Sequence, residues 1–124
     1  MSAWDKTWDN DFTRLAKHIE GALEYAGNSH TLTDIYEEIL AGRAQLWAGK
    51  NSVIVTEIVS YPNFKSVRFW LAGGRMSELL KMEKKVTEWA KGIDCTVCEI
   101  IGRKGWEKVL TNYKKTAVIL TKEL

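Results

Sequence analysis

The fold is decided by the stretch Phe69-Trp-Leu-Ala-Gly-Gly-Arg-Met-Ser-Glu-Leu-Leu80. A run of strand-forming residues ends there in two glycines, and an amphipathic helix follows at once. Glycine permits positive φ and close backbone approach, while the first turn of a helix leaves N–H groups that favour an anion. The junction therefore predicts a phosphate-binding turn. The alternative is that Gly73 and Gly74 only turn the chain and that Arg75 is solvated.

Apolar periodicity on both sides of this junction predicts the remaining elements. Steps of three and four residues indicate helices, whereas runs rich in Val, Ile, Phe and Trp between turn residues indicate strands. Thr31 is a suitable N-cap and Gly42 a suitable stop for one helix. The predicted order is a helix over 12–26, a helix after Thr31, strands over 44–48, 52–61 and 65–71, a helix over 76–91, a strand over 96–101, a short helix over 105–110 and a strand over 116–121.

These elements predict an α+β sandwich with one mixed sheet. The first three strands are joined by short connections, so they should form antiparallel hairpins. The helix over 76–91 joins two strands of the sheet, so it should be a right-handed crossover between parallel neighbours. We expect an N-terminal arm over 1–10 and a single domain over 11–124, because 124 residues is an ordinary size for one domain.

Composition and charge argue against several functions. The net charge of +2 is too small to indicate nucleic-acid binding. Basic residues do outnumber acidic ones between residues 103 and 124, which fits either a phosphate-docking face or the solvated lysines of a strand edge. No apolar run reaches the ~18 residues that span a bilayer, and no signal peptide is recognisable. We therefore expect an intracellular protein without a membrane partner.

Cys95 and Cys98 have C-x-x-C spacing, which in isolation suggests a redox pair or half of a zinc site. They lie within a predicted strand, however, where residues three apart point to opposite faces. There is no second cysteine pair, and both histidines are distant in sequence. We interpret the cysteines as structural residues of a reducing compartment and predict no metal site.

Trp4 and Trp8 stand among aspartates near the start of the chain. Two exposed tryptophans on a free arm would be unusual, because indole rings are usually buried against protein. We expect at least one of them to pack on the domain or to bind a partner.

The element order over residues 12–124 resembles the GNAT superfamily of acyl-CoA N-acyltransferases. The closest likeness is in Glu99-Ile-Ile-Gly-Arg-Lys-Gly-Trp-Glu-Lys-Val-Leu110 and the residues after it. More narrowly, three stretches resemble small GNAT-like proteins of tailed bacteriophages and prophages. These are Gly42-Arg-Ala-Gln-Leu-Trp47, Phe69-Trp-Leu-Ala-Gly-Gly74 and Gly102-Arg-Lys-Gly-Trp106.

The resemblance implies a position for acetyl-CoA. Active family members hold its pyrophosphate with the backbone of an Arg/Gln-x-x-Gly-x-Gly/Ala loop, and two parallel strands splay to admit the pantetheine arm. The corresponding segment here lacks the leading Arg or Gln and the spaced second glycine. The implied cofactor residues are Gly73, Gly74, Arg75, Met76 and Ser77.

For catalysis, the resemblance implies a carboxylate that deprotonates the amine and a tyrosine that protonates the leaving thiolate. Glu57 and Glu99 are the candidate bases, although Glu57 fits a solvent-facing position on an alternating strand equally well. Tyr113 is the candidate acid, but it follows the last predicted helix instead of lying on it. We therefore favour a catalytically degenerate phage module that needs no cofactor and binds a phage or host protein, in the host cytoplasm or the virion. An acetyl-CoA-dependent N-acyltransferase is the alternative.

Overall fold

The computed structural model describes residues 9–101 and 106–124. Helices and strands form where the sequence predicts them up to residue 109, with ends that differ by one or two residues. Trp4 and Trp8 lie outside the described residues. The elements are α1 (Asn10–Tyr25), α2 (Leu32–Leu40), β1 (Gln45–Ala48), β2 (Val53–Ser60), β3 (Lys65–Gly73), α3 (Met76–Gly92), β4 (Val97–Ile100) and the single-turn α4 (Trp106–Val109).

The starts of α1 and α2 are fixed by side-chain caps. Asp9 accepts a hydrogen bond from the Phe12 N–H at 2.8 Å, which satisfies one of the free amides of α1. Thr31 caps α2 as predicted, and Asp34 completes a reciprocal capping box with it. No helix among the described residues is long and apolar enough to cross a membrane.

The four strands form one mixed sheet in the order β1-β2-β3-β4. β1, β2 and β3 pair antiparallel through short connections, and β4 pairs parallel to β3 after the crossover through α3. The predicted fold class, an α+β sandwich with antiparallel strands and one parallel pair, is confirmed.

Two apolar layers enclose the sheet. α1 and α2 cover one face, where Phe12, Leu15 and Ile19 are buried against Val53 and Val55. α3 covers the other face, where Leu79 and Val86 pack against a cluster from β2, β3 and β4. Trp89 and Trp106, both partly buried, pack against that second cluster.

A β-bulge interrupts the pairing of β2 with β3. Val55 lies opposite Leu71 and Thr56 lies opposite Phe69, so Trp70 has no partner on β2. The extra residue reverses the alternation of β3, since Phe69 belongs to the α3 face and Leu71 to the α1 face. The bulge at Trp70 thus changes which face the β3 side chains point to, three residues before the strand ends at Gly73.

The predicted last strand over 116–121 is wrong. The residues after α4, from 110 to 124, contain no strand or helix. Strand propensity describes a side chain that fits a pleated, half-buried surface, and a strand forms only when a neighbour completes its hydrogen bonds. In this chain no strand of the sheet pairs with the segment.

Candidate functional site

The parallel strands β3 and β4 separate before β3 ends. Their pairing runs from Ser66–Val97 to Phe69–Ile100, but β3 continues to Gly73. Residues 70–73 therefore have no β4 neighbour, and β3 presents a free edge next to the bulge at Trp70. An opening between these two strands is what the GNAT resemblance implies.

A cavity of about 500 Å³ lies at this opening. Trp70 and Ala72 line it from β3, Ile100 lines it from the last residue of β4, Trp106 lines it from α4, and Tyr25 contributes from the end of α1. Most of these walls are apolar, whereas Glu57 and Arg68 supply polar groups on the α1 face. The arrangement suits an elongated, largely apolar ligand with a polar end.

A second concavity, of about 540 Å³, lies at the glycine junction. Gly73, Gly74 and Arg75 form one side of it, and Lys17 and His18 approach from α1. None of the residues that line it is acidic. The sequence did not reveal Lys17 and His18, because nothing in their spacing indicates that α1 crosses the end of β3.

Tertiary packing explains the two glycines without a ligand. Gly74 has φ +125°, and a Cβ there would lie 2.5 Å from Ser52 Cα and 2.6 Å from the Asn51 carbonyl oxygen. A Cβ on Gly73 would lie 2.8 Å from the His18 carbonyl oxygen. In addition, the Arg75 N–H donates to Ser52 Oγ at 2.9 Å. The junction is thus held between α1 and the β1–β2 turn.

In the first turn of α3 some backbone amides have no described partner, whereas the Glu78 side chain is hydrogen-bonded to the β1–β2 turn. The Met76 and Ser77 N–H groups donate to no acceptor within residues 9–101 and 106–124. Glu78 is already engaged, since its carboxylate accepts from the Lys50 and Asn51 amides at 2.8 and 2.9 Å. Hydrogen bonds from the Ser52 hydroxyl and then from those amides lower the pKa of Glu78. A phosphate bound here could accept hydrogen bonds from the Met76 and Ser77 amides. The Glu78 carboxylate would lie near it.

The two candidate bases lie in one row across the sheet with Arg68 between them. Glu57 is opposite Arg68 on β2, and Glu99 is opposite Arg68 on β4. Arg68 Nη1 donates to Glu57 Oε1 at 3.2 Å, while Nη2 lies 3.0 Å from Tyr61 Oη and 3.7 Å from Glu99 Oε2. Tyr61 also donates to Glu99 at 3.3 Å. Both carboxylates therefore share one guanidinium.

The protonation of Arg68 follows from this row. Burial acts to lower the pKa of the guanidinium, but the hydrogen bond and charge interaction with Tyr61, and the charges of Glu99 and Glu57, outweigh it and raise that pKa. Arg68 therefore stays a cation.

Comparison with known proteins identifies the fold. No protein-family model and no curated protein matches the chain. Among solved structures, a mutant of TTHA1254 from Thermus thermophilus is similar with a TM-score of 0.58 and 14% identity, over 86% of this chain and 89% of that chain. A possible acetyltransferase from Clostridium difficile 630 is similar with a TM-score of 0.54 and 11% identity, over 93% and 92% of the two chains. The chain has a GNAT-like fold.

Within this GNAT-like fold, Tyr113 lies on the opposite face of the sheet from Glu99. Its hydroxyl donates to Glu83 on α3 at 2.6 Å and lies 2.9 Å from Cys98 Sγ. Cys98 belongs to the α3-face cluster, whereas Glu99, the next residue, belongs to the other face. The structure therefore does not bring the candidate acid together with the candidate bases.

The cysteines and tryptophans serve packing in the GNAT-like fold. Cys95 and Cys98 are both free, and no group of three metal-ligating side chains occurs in the described ranges. Trp47 and Trp70 do not form one cluster with Arg68, although neighbouring hairpin strands could have brought the three side chains together. Trp47 packs on Trp89 on the α3 face, whereas Trp70 packs on His30 on the α1 face.

The Cys98–Tyr113 contact predicts a loss of stability at high pH. Burial raises the pKa of Cys98 to about 11, and burial likewise raises the pKa of Tyr113. The folded chain therefore holds these protons more tightly than the unfolded chain, which stabilises the fold. This contribution to the free energy of unfolding is full below pH 9 and is lost between pH 9 and 11. We expect the free energy of unfolding to fall by on the order of 1–2 kcal/mol over that range in urea titrations. In Cys98→Ala the fall should be smaller, and an equal fall would contradict the assignment.

Proposed function

We propose that this chain is a catalytically degenerate acyltransferase-like module that has kept an acyl-CoA site between β3 and β4. The observation that carries the proposal is the opening itself. β3 runs four residues past its last pair with β4, and a cavity of about 500 Å³ lies beside the freed edge. Packing alone does not require this edge to be open, because β4 would satisfy more backbone hydrogen bonds if it continued along β3.

The lining residues fit the two chemically different parts of acyl-CoA. The apolar cavity beside Trp70 and Ile100 suits the acyl and pantetheine portion. The concavity with Lys17, His18 and Arg75 suits the phosphates, because its lining contains cationic groups and no acidic one. When bound, the cofactor would supply an activated thioester.

The state of the polar groups supports the loss of catalysis. A general base must be available to accept the proton of the amine, but Arg68 and Tyr61 engage both Glu57 and Glu99. Tyr113 is engaged by Glu83 and Cys98 on the other face. An efficient N-acyltransferase, the alternative, would have to release these groups when substrates bind.

The cofactor site is tested by thermal melting with acetyl-CoA. A ligand at about 100 times its Kd should add ~2.7 kcal/mol, which corresponds to a rise in Tm of about 10 °C for a domain of this size. The double variant Lys17→Ala/Arg75→Ala should lose most of this rise, because it removes two cations of the phosphate concavity. The exposed Lys85→Ala on α3 is the matched control and should keep the full rise.

The outcomes separate the proposal from its competitors. No rise in Tm at millimolar acetyl-CoA would contradict the site. A rise that 3′,5′-ADP reproduces fully would limit the site to the phosphates. Release of free thiol when an amine is added would contradict catalytic loss and favour the N-acyltransferase.

We further propose that the module is encoded by a tailed phage or prophage, binds a phage or host protein, and acts in the host cytoplasm or the virion. The support is the likeness of residues 42–47, 69–74 and 102–106 to small phage GNAT-like proteins. The proposed partner-binding residues Trp4 and Trp8 belong to the part of the chain that the structure does not describe.

A further inference from the structure

Residues 116–121 read Thr-Ala-Val-Ile-Leu-Thr, and their backbone has no hydrogen-bond partner in the described part of the chain. Val118 is 66% exposed, Ile119 71% and Leu120 90%. A short run of β-branched and aliphatic residues with free backbone groups is well suited to join the edge of a sheet. Exposure of three apolar side chains to water is unfavourable, so a partner that buried them would stabilise this segment.

β4 is an edge strand to which such a segment could add. The strand order places β4 at the end of the sheet, with β3 on one side and no described strand on the other. Its outward backbone groups are thus available to an added strand, and Val97 is 37% exposed beside them.

The chain's own segment does not occupy that edge. Tyr113, just before the segment, is fixed by Glu83 and Cys98. From there Ile119 and Thr121 reach the cavity at the carboxyl end of β4, next to Ile101, and form no ladder with the strand. Both the free segment and the free edge therefore remain in one copy.

We propose that residues 116–121 of one copy add as a strand to β4 of a second copy, which gives a reciprocal two-fold dimer. Because each copy carries both halves of the contact, a two-fold axis satisfies both edges at once. The charges of the segment complement those near β4. Asp94 is exposed just before β4, and Lys115 and Lys122 flank the segment, so either strand direction brings a lysine near Asp94.

Sedimentation velocity over a range of protein concentrations tests the dimer. Wild type should shift from monomer to dimer as concentration rises. Leu120→Lys should weaken the dimer at least about tenfold, because it replaces a buried apolar contact with a charge. Leu40→Lys makes the same change at a 69% exposed position on α2 and should leave the dimer unchanged.

Hydrogen exchange distinguishes the possible pairings. In the proposed dimer, amides of 116–121 and 97–100 exchange more slowly as protein concentration rises. Protection of the segment in a monomer at every concentration would overturn the proposal in favour of pairing within one chain. A monomer without protection would also overturn it, as would a dimer that both lysine variants weaken equally.

Discussion

Replacement of Gly74 by alanine is expected to lower the free energy of unfolding by about 3 kcal/mol, with a fall in Tm of about 10 °C. The new Cβ would clash with Ser52 Oγ and would lie 2.5 Å from Ser52 Cα and 2.6 Å from the Asn51 carbonyl oxygen, and the last two atoms belong to backbone that cannot rotate away. Alanine also rarely adopts the φ of +125° found there. Urea unfolding at neutral pH measures the change.

Gly92→Ala is the matched control for Gly74→Ala. Gly92 is the last residue of α3, a Cβ added there would meet no atom within 4 Å, and its φ is not positive. Alanine should be neutral there or stabilise the chain by up to about 1 kcal/mol, because it restricts the unfolded chain. A loss at Gly74 no larger than the change at Gly92 would show that the β1–β2 turn can move away from the junction.

Replacement of Arg68 by methionine is expected to lower the free energy of unfolding by about 2 kcal/mol. Methionine keeps much of the side-chain volume but removes the guanidinium that lies between Glu57 and Glu99. Two partly buried carboxylates would then face each other across β3 without a cation. Chemical denaturation of the purified variant measures the loss.

The rescue of Arg68→Met removes the two negative charges, and its control removes a cation from an exposed ion pair. Adding Glu57→Gln and Glu99→Gln to the variant should recover most of the loss, because neutral amides do not need a cation. Arg43→Met removes the same cation from a solvent-exposed pair with Glu38 and should change stability little. Equal losses at the two arginines, or no rescue by the glutamines, would contradict the view that Arg68 holds the row together.

The candidate site illustrates where sequence reasoning succeeds and where it stops. The paired glycines and the crossover helix could be predicted because both are local patterns, whereas the separation of β3 from β4 was only implied by the GNAT resemblance, since it depends on strand geometry. Lys17, in contrast, reaches the glycine junction only because α1 crosses the end of β3. The row of Glu57, Arg68 and Glu99 depends on the register of three strands, which is fixed by long-range pairing.

The sequence by itself determined the helices, the first four strands, the cap at Thr31 and the mixed sheet. Apolar spacing and capping residues act over a few neighbours, so their effects can be predicted from the chain alone. Only the tertiary structure decided that Tyr113 turns to Glu83, that Gly74 fits against Ser52, and that residues 116–121 remain outside the sheet. Those outcomes depend on which distant surfaces meet, because a side chain's partners are set by packing and a strand exists only where another strand completes its hydrogen bonds.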